Sequence, residues 1–511
     1  MHPFRQPLKL ARLIDNPTAA QLREMARGEE QTTEFGSPCY VSKVRNRSAK
    51  QTYLVEDGIT LGVDQQGISL EKATALAAEV HRYLADRGVI RLDRQMGLDA
   101  NHTYHCRLYI TEPYARIPAM WIHSLFAPVD KDKEPDLISI YVPEWPERII
   151  FCHPLAGVTY ILGTDYFGEC KKSFLRMAMF RTKQKGGLGL HAGSKVLRIR
   201  DAAGELKDVG FILFGLSGTG KTTLTIHDHG LTGDERVIIR QDDIVLMDPD
   251  GFCAGTEDGF YIKTDGLDKL QKVLYAAALS PNALFENIKV FEGGVIDFFN
   301  QELTSNGRGI VLRREVAGSD DSIDLQKAHK LIFITRRNDI VPPLARLNSV
   351  QGAAYFMLGE SIETSAGDPT KAGQSKREVG TNPFIVGPEA EEGHRLLEIL
   401  RNNPDMECYL LNTGSVGARE GDAGIKLSIE VSTTLMKEIA KGGIEWTVDP
   451  DWGYEVPVSV SGLDIEAIMP RRFYSEEEYQ ARVEKLRVER REWLAHFPGL
   501  AEEIRAAVEK A

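Results

Sequence analysis

The sequence lacks the features that mark membrane, secreted and fibrous proteins. No apolar run approaches the length of a membrane span, and the first residues contain no continuous apolar segment of the kind found in signal peptides. No internal repeat and no low-complexity tract interrupts the chain. We therefore expect a soluble, unexported protein with no membrane partner.

Cysteine is also scarce. Six cysteines occur in 511 residues, and none forms a C-x-x-C pair of the kind that binds zinc. They are Cys39, Cys106, Cys152, Cys170, Cys253 and Cys408. Neither a zinc site nor a disulfide framework is indicated, so a reducing cytoplasm is the simplest compartment.

Basic residues are in deficit over the whole chain. Lys and Arg number 62 against 74 Asp and Glu, which gives a net charge of -12. A phosphate backbone requires an excess of positive charge, so this balance argues against a general nucleic-acid binder. Any anion-binding site must be local.

What remains is an ordinary globular composition, 42% hydrophobic and 27% charged, with enough length for two or more cores. An amphipathic pattern over Ser69–Arg87 predicts a helix that ends before Gly88. Several short β-like runs follow it, including Cys106–Ile110 and Leu137–Val142. The front part of the chain is therefore expected to be a mixed α+β unit.

The most specific stretch is a phosphate-binding loop. The sequence G-L-S-G-T-G-K-T-T fits the pattern G-x-x-x-x-G-K-[ST] and follows the apolar, strand-like run Val209–Phe214. Its glycines let backbone N–H groups converge on phosphate, Lys221 can neutralise phosphate oxygens, and Thr222 can bind Mg²⁺. The alternative is a chance glycine-rich turn. The predicted nucleotide-binding residues here are Gly215, Leu216, Ser217, Gly218, Thr219, Gly220, Lys221, Thr222 and Thr223.

Two adjacent acids, Asp242 and Asp243, interrupt the β-rich run Val237–Met247. Carboxylates inside a strand are costly unless they meet cations, and in a phosphate-loop protein the obvious cations are divalent metals. A hairpin edge with solvated aspartates is the alternative.

Other candidates are ambiguous when each is taken alone. The basic stretch Lys43–Lys50, Lys172 and His191 are each also typical of a solvated surface or an ordinary core. His191 ends a glycine-rich stretch, Gly186–His191, that we interpret as a turn. The polar residues 361–380 are consistent with a mobile lid or with an inert surface loop.

The order of these motifs resembles the phosphoenolpyruvate carboxykinases, particularly the ATP-dependent class, over roughly Arg47 to Ile429. The phosphate loop matches that class throughout. Further segments that match in family order are Arg47-Ser48, Trp121–Phe126, Tyr166, Gly168-Glu169, Lys171-Lys172, Tyr261–Thr264, Glu286-Asn287, Arg308, Pro342-Pro343, Arg346-Leu347 and Asn412–Gly414.

The resemblance implies a mixed α/β fold of two lobes with catalysis in the cleft between them. Residues 1–205 would form an N-terminal substrate lobe, and residues 206–511 a C-terminal nucleotide lobe with a lid near 361–380. It also implies the reaction, in which oxaloacetate and ATP give phosphoenolpyruvate, CO₂ and ADP, with Mg²⁺ and Mn²⁺ as cofactors.

The resemblance assigns roles residue by residue. Lys172, His191 and Asp243 would bind the transition metal, and the lysine would have to be neutral to do so. Thr222 would contact Mg²⁺ directly, whereas Asp242 would hold a water bound to it.

On the acceptor side, the resemblance makes Arg47 and Tyr166 ligands of the substrate. Arg308 would bind substrate and stabilise the enolate that decarboxylation leaves. Lys221 and Lys263 would balance charge on the transferred phosphoryl group, and Ser217 would touch it. Lys172, Lys221, Lys263 and Arg308 are thus the predicted catalytic residues.

Four departures from the family pattern bear on specificity, and one of them is the length and composition of the lid region 361–380. Ile244–Met247 replaces Glu-His-Gly-Trp, and Ala192–Ser194 replaces Cys-Ser-Ala after the histidine. Lys426 stands where an arginine usually packs on adenine, and a lysine cannot stack as a planar guanidinium does. GTP therefore stays open as the donor. Two other functions also stay open: a kinase of the same fold acting on another small carboxylate or a protein, and a nucleotide-binding regulator without turnover.

Overall fold

The computed structural model describes residues 2–130, 132–268, 271–362 and 374–509. They form two packing units. The first comprises Met1–Lys185, Ala254–Ile323 and Phe384–Gly387, and the second comprises Gly186–Cys253, Asp324–Pro383 and Pro388–Ala511. The sequence predicts a single boundary at residue 205. The units are instead discontinuous, because strands from the middle of the chain pair with strands near its beginning.

The strands, in chain order, are β1 (Arg12–Asp15), β2 (Gln31–Thr32), β3 (Pro38–Tyr40), β4 (Thr52–Glu56), β5 (Gly67–Ser69), β6 (Gly88–Met96), β7 (Tyr104–Thr111), β8 (Leu137–Val142), β9 (Ile149–His153), β10 (Val158–Leu162), β11 (Leu188–Arg200), β12 (Leu206–Gly215), β13 (Arg236–Met247), β14 (Cys253–Gly255), β15 (Gly259–Lys263), β16 (Leu284–Glu286), β17 (Arg308–Leu312), β18 (Lys330–Thr335), β19 (Leu344–Leu347), β20 (Glu360–Ile362), β21 (Ser375–Arg377), β22 (Glu407–Asn412), β23 (Ser415–Val416), β24 (Ile425–Lys426), β25 (Glu445–Val448) and β26 (Glu455–Ser459).

The α-helices are α1 (Ala19–Met25), α2 (Leu70–Ala85), α3 (Arg116–Trp121), α4 (Phe167–Gln184), α5 (Lys221–Ile226), α6 (Lys272–Ala278), α7 (Ser349–Leu358), α8 (Ala390–Asn402), α9 (Ile429–Lys441), α10 (Glu476–Ala495) and α11 (Glu502–Ala506). Among the described residues, no helix combines the length and apolarity that a bilayer crossing requires.

The first unit is built on an eight-stranded mixed sheet in the order β1-β6-β7-β8-β10-β9-β4-β5. Helix α2 buries Ala73, Ala77, Val80 and Leu84 in a core that includes side chains of β4, β8, β9 and β10. Helix α4, which is almost wholly buried, packs on β8 and β10. A second sheet of five strands, in the order β15-β17-β16-β3-β2, completes the described part of this unit.

The second unit contains a nine-stranded sheet in the order β14-β13-β11-β12-β18-β22-β19-β26-β25. Its central strands β12, β18 and β22 are parallel, and their carboxyl ends lie side by side. In open α/β sheets, ligands bind outside the carboxyl ends of such strands. The loop that follows β12 is therefore placed where a nucleotide is expected.

Most elements expected from the sequence are present. The predicted helix over Ser69–Arg87 is α2, with the Ser69 hydroxyl accepting a hydrogen bond from the backbone N–H of Lys72. The run Val209–Phe214 lies within β12, and the paired acids lie in the middle of β13. The prediction of a mixed α/β fold is confirmed.

The interpretation of Gly186–His191 as a turn was only partly right. Gly186 has a φ of 88° and does turn the chain. From Leu188 onward, however, the residues belong to β11, because they pair with Ile244–Met247 of β13. His191 is thus a strand residue, fixed beside the paired acids of the neighbouring strand.

Candidate active site

The phosphate loop joins β12 to α5 in the second unit, and its glycines are needed there for geometric reasons. Gly218 and Gly220 have φ values of 85° and 95°, in the left-handed region that other residues rarely adopt. A Cβ on Gly215 would come within 2.4 Å of the Thr219 hydroxyl oxygen. That hydroxyl donates to the carbonyl oxygen of Leu216 over 2.8 Å, so the loop is held in shape by its own side chain.

The two neighbouring parallel strands support this loop. Arg336 follows β18 and donates from Nη1 to the carbonyl oxygen of Gly218 over 2.9 Å. Thr413 follows β22 and donates from Oγ1 to the carbonyl oxygen of Thr219 over 2.7 Å. Residues distant in sequence thus hold the loop at the carboxyl edge of the sheet.

A cavity of about 700 Å³ opens beside the loop, within the range of small-molecule binding sites. The predicted base-contacting residue Lys426 lines it, together with the start of α9. Its lining residues are Gly218, Thr219, Gly220, Thr223, Leu224, Arg336, Thr413, Lys426, Leu427, Ser428, Ile429 and Ser432.

A pair of potential metal ligands lies on β11 and β13. Nε2 of His191 is 3.4 Å from Oδ1 of Asp243. Nδ1 of His191 lies 2.6 Å from the carbonyl oxygen of Thr381, which requires Nδ1 to carry the proton and leaves Nε2 as a lone-pair donor. The backbone of Thr381 has a φ of 52°, which is unusual for a β-branched residue. Asp242, which precedes Asp243 in β13, is buried.

In the first unit, the loop that carries Arg47 is fixed by two carboxylates. The backbone N–H groups of Lys43 and Val44 donate to the two oxygens of Asp165, each over 2.9 Å. The N–H of Ser48 donates to Oε1 of Glu169 over 2.5 Å. Asp165 and Glu169 lie on either side of Tyr166 in the sequence, so one short segment positions both predicted substrate ligands, Arg47 and Tyr166.

Three cationic side chains of this unit lie near the aromatic ring of Phe384. The guanidinium carbon of Arg47 lies 4.4 Å from the ring centroid, Nζ of Lys172 lies at 5.0 Å, and the guanidinium carbon of Arg176 lies at 5.8 Å. Such contacts are attractive because the π face is negative. Lys172 and Arg47 thus both contact the ring of Phe384.

Tyr166 is linked to a second pair of predicted residues. Its hydroxyl lies 3.1 Å from that of Tyr261 and accepts from Nδ2 of Asn306 over 3.2 Å. Oδ1 of Asn306 in turn accepts from Nη2 of Arg308 over 2.7 Å. Lys263 stands directly opposite Arg308 in the pairing of β15 with β17.

Beneath these groups lies a buried cluster of charges. Arg116 is fully buried and contacts three carboxylates, those of Asp165 at 2.8 Å, Glu29 at 3.1 Å and Glu286 at 3.3 Å. Glu286 also accepts from the backbone N–H of Phe167, the first residue of α4, over 3.0 Å. One guanidinium cannot neutralise three acids, and burial raises the pKa of Glu286 to about 7.

Comparison with known proteins agrees with this arrangement. A family model described as phosphoenolpyruvate carboxykinase matches residues 11–466. The chain belongs to the ATP-dependent phosphoenolpyruvate carboxykinase family. It is 34% identical over 505 residues to a phosphoenolpyruvate carboxykinase (ATP) of Aeropyrum pernix, with 97% of each chain covered. It is 27% identical over 508 residues to that of Sinorhizobium fredii, covering 92% of this chain and 89% of the relative.

Membership of the carboxykinase family confirms the activity predicted from the sequence, the conversion of oxaloacetate to phosphoenolpyruvate with ATP. In the first unit, the structure brings Arg47 near Lys172 and links Tyr166 to Arg308, which faces Lys263. In the second, it brings Lys426 to the phosphate loop and His191 to Asp243. The roles of these residues stay predictions.

Several supporting residues were missed by the sequence analysis. Arg116, Thr381 and Phe384 belong to no motif, and nothing in their sequence neighbourhood distinguishes them from ordinary core or loop residues. Part of the expected lid, residues 363–373, lies outside the described residues. Its flanks form a two-stranded sheet of β20 and β21.

Proposed function

We propose that this chain makes phosphoenolpyruvate with the residues described above, its second unit binding ATP and its first binding oxaloacetate. The observation that carries the proposal is the 700 Å³ cavity, which is lined both by Gly218, Thr219, Gly220 and Thr223 of the phosphate loop and by Lys426. Each part is expected for a nucleoside triphosphate. The apolar Ile429, also in the lining, offers a surface for a base.

On the nucleotide side, Lys221 neutralises the transferred phosphoryl group. It is the first residue of α5, at the end of the loop that the backbone contacts hold in shape. Backbone N–H groups of the loop bind the neighbouring phosphates, as the glycine geometry favours. By resemblance to the family, Lys263 would also balance charge on that group.

On the substrate side, Arg47 binds a carboxylate of oxaloacetate and Tyr166 orients it. When the bond to the departing CO₂ breaks, its electron pair passes to the carbonyl oxygen, which becomes an enolate. Arg308 stabilises this developing charge. The enolate oxygen then attacks the γ-phosphorus of ATP in line, the bond to the bridging oxygen breaks, and ADP leaves.

We assign a transition-metal site to His191 and Asp243. Nε2 of His191 and Oδ1 of Asp243 lie 3.4 Å apart, close enough that the two atoms could hold one cation. Imidazole and carboxylate suit Mn²⁺, and the Thr381 carbonyl fixes the required tautomer. By resemblance to the family, Lys172 would be the third ligand, and Thr222 and a water held by Asp242 would bind Mg²⁺. Bound metals supply Lewis-acid stabilisation of developing negative charge.

We also infer a cytosolic location. The six cysteines are all unpaired and buried, as is expected in a reducing compartment. Cell fractionation of the producing organism tests this directly, and recovery outside the cytosol would contradict it.

A direct assay tests the proposed function. Purified protein is incubated with oxaloacetate, ATP, Mg²⁺ and Mn²⁺, and phosphoenolpyruvate is measured, with GTP as a parallel donor. Lys221→Ala should abolish product formation without changing the melting temperature, because this side chain serves a ligand and not the core. Lys207→Ala is the matched control, since Lys207 is exposed on β12 and should leave the rate unchanged. No product from wild type with either nucleotide would refute the proposal.

A further inference from the structure

A fully buried lysine lies behind the phosphate loop, outside every role assigned above. Lys195 is on β11 and has no exposed surface. Its Nζ donates to the carbonyl oxygen of Leu224 in α5 and lies 2.5 Å from Nε2 of His229. Neither partner is a carboxylate, so this contact is not an ordinary salt bridge.

The backbone aims Lys195 at α5. The register shift in the pairing of β11 with β13 inserts its extra residue, Arg240, in β13, so the side chains of β11 keep their regular alternation through Lys195. Gly193, two residues earlier and therefore on the same face of the strand, lies against Thr225 of α5 so closely that a Cβ would approach its hydroxyl to 2.2 Å. The glycine lets α5 approach the strand, and Lys195 then reaches its last turn.

His229 extends the contact to a second helix. Its Nδ1 lies 3.0 Å from the carbonyl oxygen of Thr433 in α9, so Nδ1 is the donor and Nε2 accepts from Lys195. His229 is buried and has a φ of 57°, an uncommon conformation for a residue other than glycine. A strained backbone at a buried hydrogen-bonding residue indicates that the contact is maintained by its surroundings.

The contacts of Lys195 with Leu224 and of His229 with Thr433 both lie next to the nucleotide cavity. Leu224, whose carbonyl Lys195 binds, lines the cavity together with Thr223, and Ser432, which precedes Thr433, lines its other wall. We propose that Lys195 is a positioning residue for ATP: with His229 it ties α5 to α9 and so fixes the separation of two walls of the nucleotide cavity. The proposal rests on the proposed function only in taking ATP as the occupant.

The electrostatics of the pair agree with a positioning role. Burial lowers the pKa of both Lys195 and His229, and each cation would disfavour the other. The other titratable groups that act on them are His227 and Asp228, which precede His229 in the sequence, and Lys437 of α9. A neutral amine has two N–H groups, which matches the two acceptors, Leu224 O and His229 Nε2.

The test uses the full chain and compares binding with turnover. The Kd for ATP is measured by calorimetry for Lys195→Met, His229→Asn and the double variant, and steady-state kinetics give KM for oxaloacetate and kcat at saturating ATP. Asparagine tolerates the positive φ at 229, so that variant keeps the backbone even if the lysine variant misfolds. Lys207→Ala is the control.

Each single variant should raise the ATP Kd about tenfold, the effect of one lost hydrogen bond, and the double variant should do no more, because the bridge acts as one unit. KM for oxaloacetate and kcat should stay within about twofold of wild type. An unchanged ATP Kd in both single variants would overturn the proposal. The proposal would also be overturned if the variants bound ATP more weakly, had a higher KM for oxaloacetate and melted at a lower temperature, because these changes together indicate a purely structural role. Wild type that binds ATP but makes no phosphoenolpyruvate would refute the proposed function and leave this inference standing.

Discussion

Replacing Glu286 by glutamine should change how the stability of the protein depends on pH. Glu286 is fully buried, accepts a hydrogen bond from the N–H of Phe167 and shares Arg116 with two other carboxylates. Glutamine has nearly the same shape and keeps an oxygen that can accept from Phe167. The substitution therefore removes the titration while leaving the packing almost intact.

The magnitude follows from the pKa. Burial raises the pKa of Glu286 from 4.5 to about 7. A carboxyl whose pKa is higher in the folded state binds its proton more tightly there, so its contribution to stability is fully present below the unfolded pKa and is lost as pH rises through the folded pKa. Between about pH 5 and about pH 8, this loss amounts to about 2.5 kcal/mol of unfolding free energy.

Urea unfolding followed by tryptophan fluorescence at several pH values measures this difference. Wild type should lose stability relative to Glu286→Gln as pH rises, with most of the change between about pH 5 and pH 7.5. Glu205→Gln, at an exposed position, should show no such trend relative to wild type. A constant difference between wild type and Glu286→Gln at all pH values would mean that Arg116 keeps Glu286 ionised throughout, and would refute the reasoning.

Two further predictions concern the site itself. Phe384→Leu should raise KM for oxaloacetate about fivefold with little change in ATP binding, because the ring no longer holds the cations of Arg47 and Lys172. Steady-state kinetics measure this effect, with Phe299→Leu at an exposed position as the control. The same KM for both variants would contradict the prediction. Asp243→Asn should weaken Mn²⁺ binding at least about tenfold while ATP still binds. Asp250→Asn, at an exposed position, is the control. If Asp243→Asn bound Mn²⁺ as wild type does, or if both variants bound it equally weakly, Asp243 would not be a ligand of the metal site.

The sequence predicts those parts of the molecule whose chemistry is local. The phosphate loop is recognisable because a polyanion demands glycines and a lysine at fixed spacing within one turn of chain. The strand before it, β12, is recognisable as a short apolar run that leads into the loop, and the amphipathic helix α2 is recognisable from its periodicity. Within the phosphate loop, the structure adds φ values and hydrogen bonds without changing the interpretation.

The supporting contacts could not be predicted in this way, because they join residues far apart in the chain. Phe384 lies more than 300 positions after Arg47 and in no motif, yet its ring contacts that guanidinium. Thr381 acts on His191 through a backbone carbonyl, to which any residue type could contribute. The turn expected at Gly186–His191 ends before Leu188 for a related reason, since pairing with β13 from that residue onward overrides the local preference of glycine for turns.

The contacts around Arg47 also bear on its proposed role as a substrate ligand. A free loop of this composition would have to be ordered when oxaloacetate binds, and that ordering would reduce the affinity. Here Asp165 and Glu169 accept three backbone N–H groups of the loop, so groups of the protein itself order it. Asp165 is itself held by the buried Arg116, and Glu286, another of the three acidic partners of Arg116, accepts a hydrogen bond from the first residue of the helix that carries Lys172. The entropy of ordering is thus lost on folding, so the binding energy of the substrate carboxylates remains available for orientation and charge stabilisation.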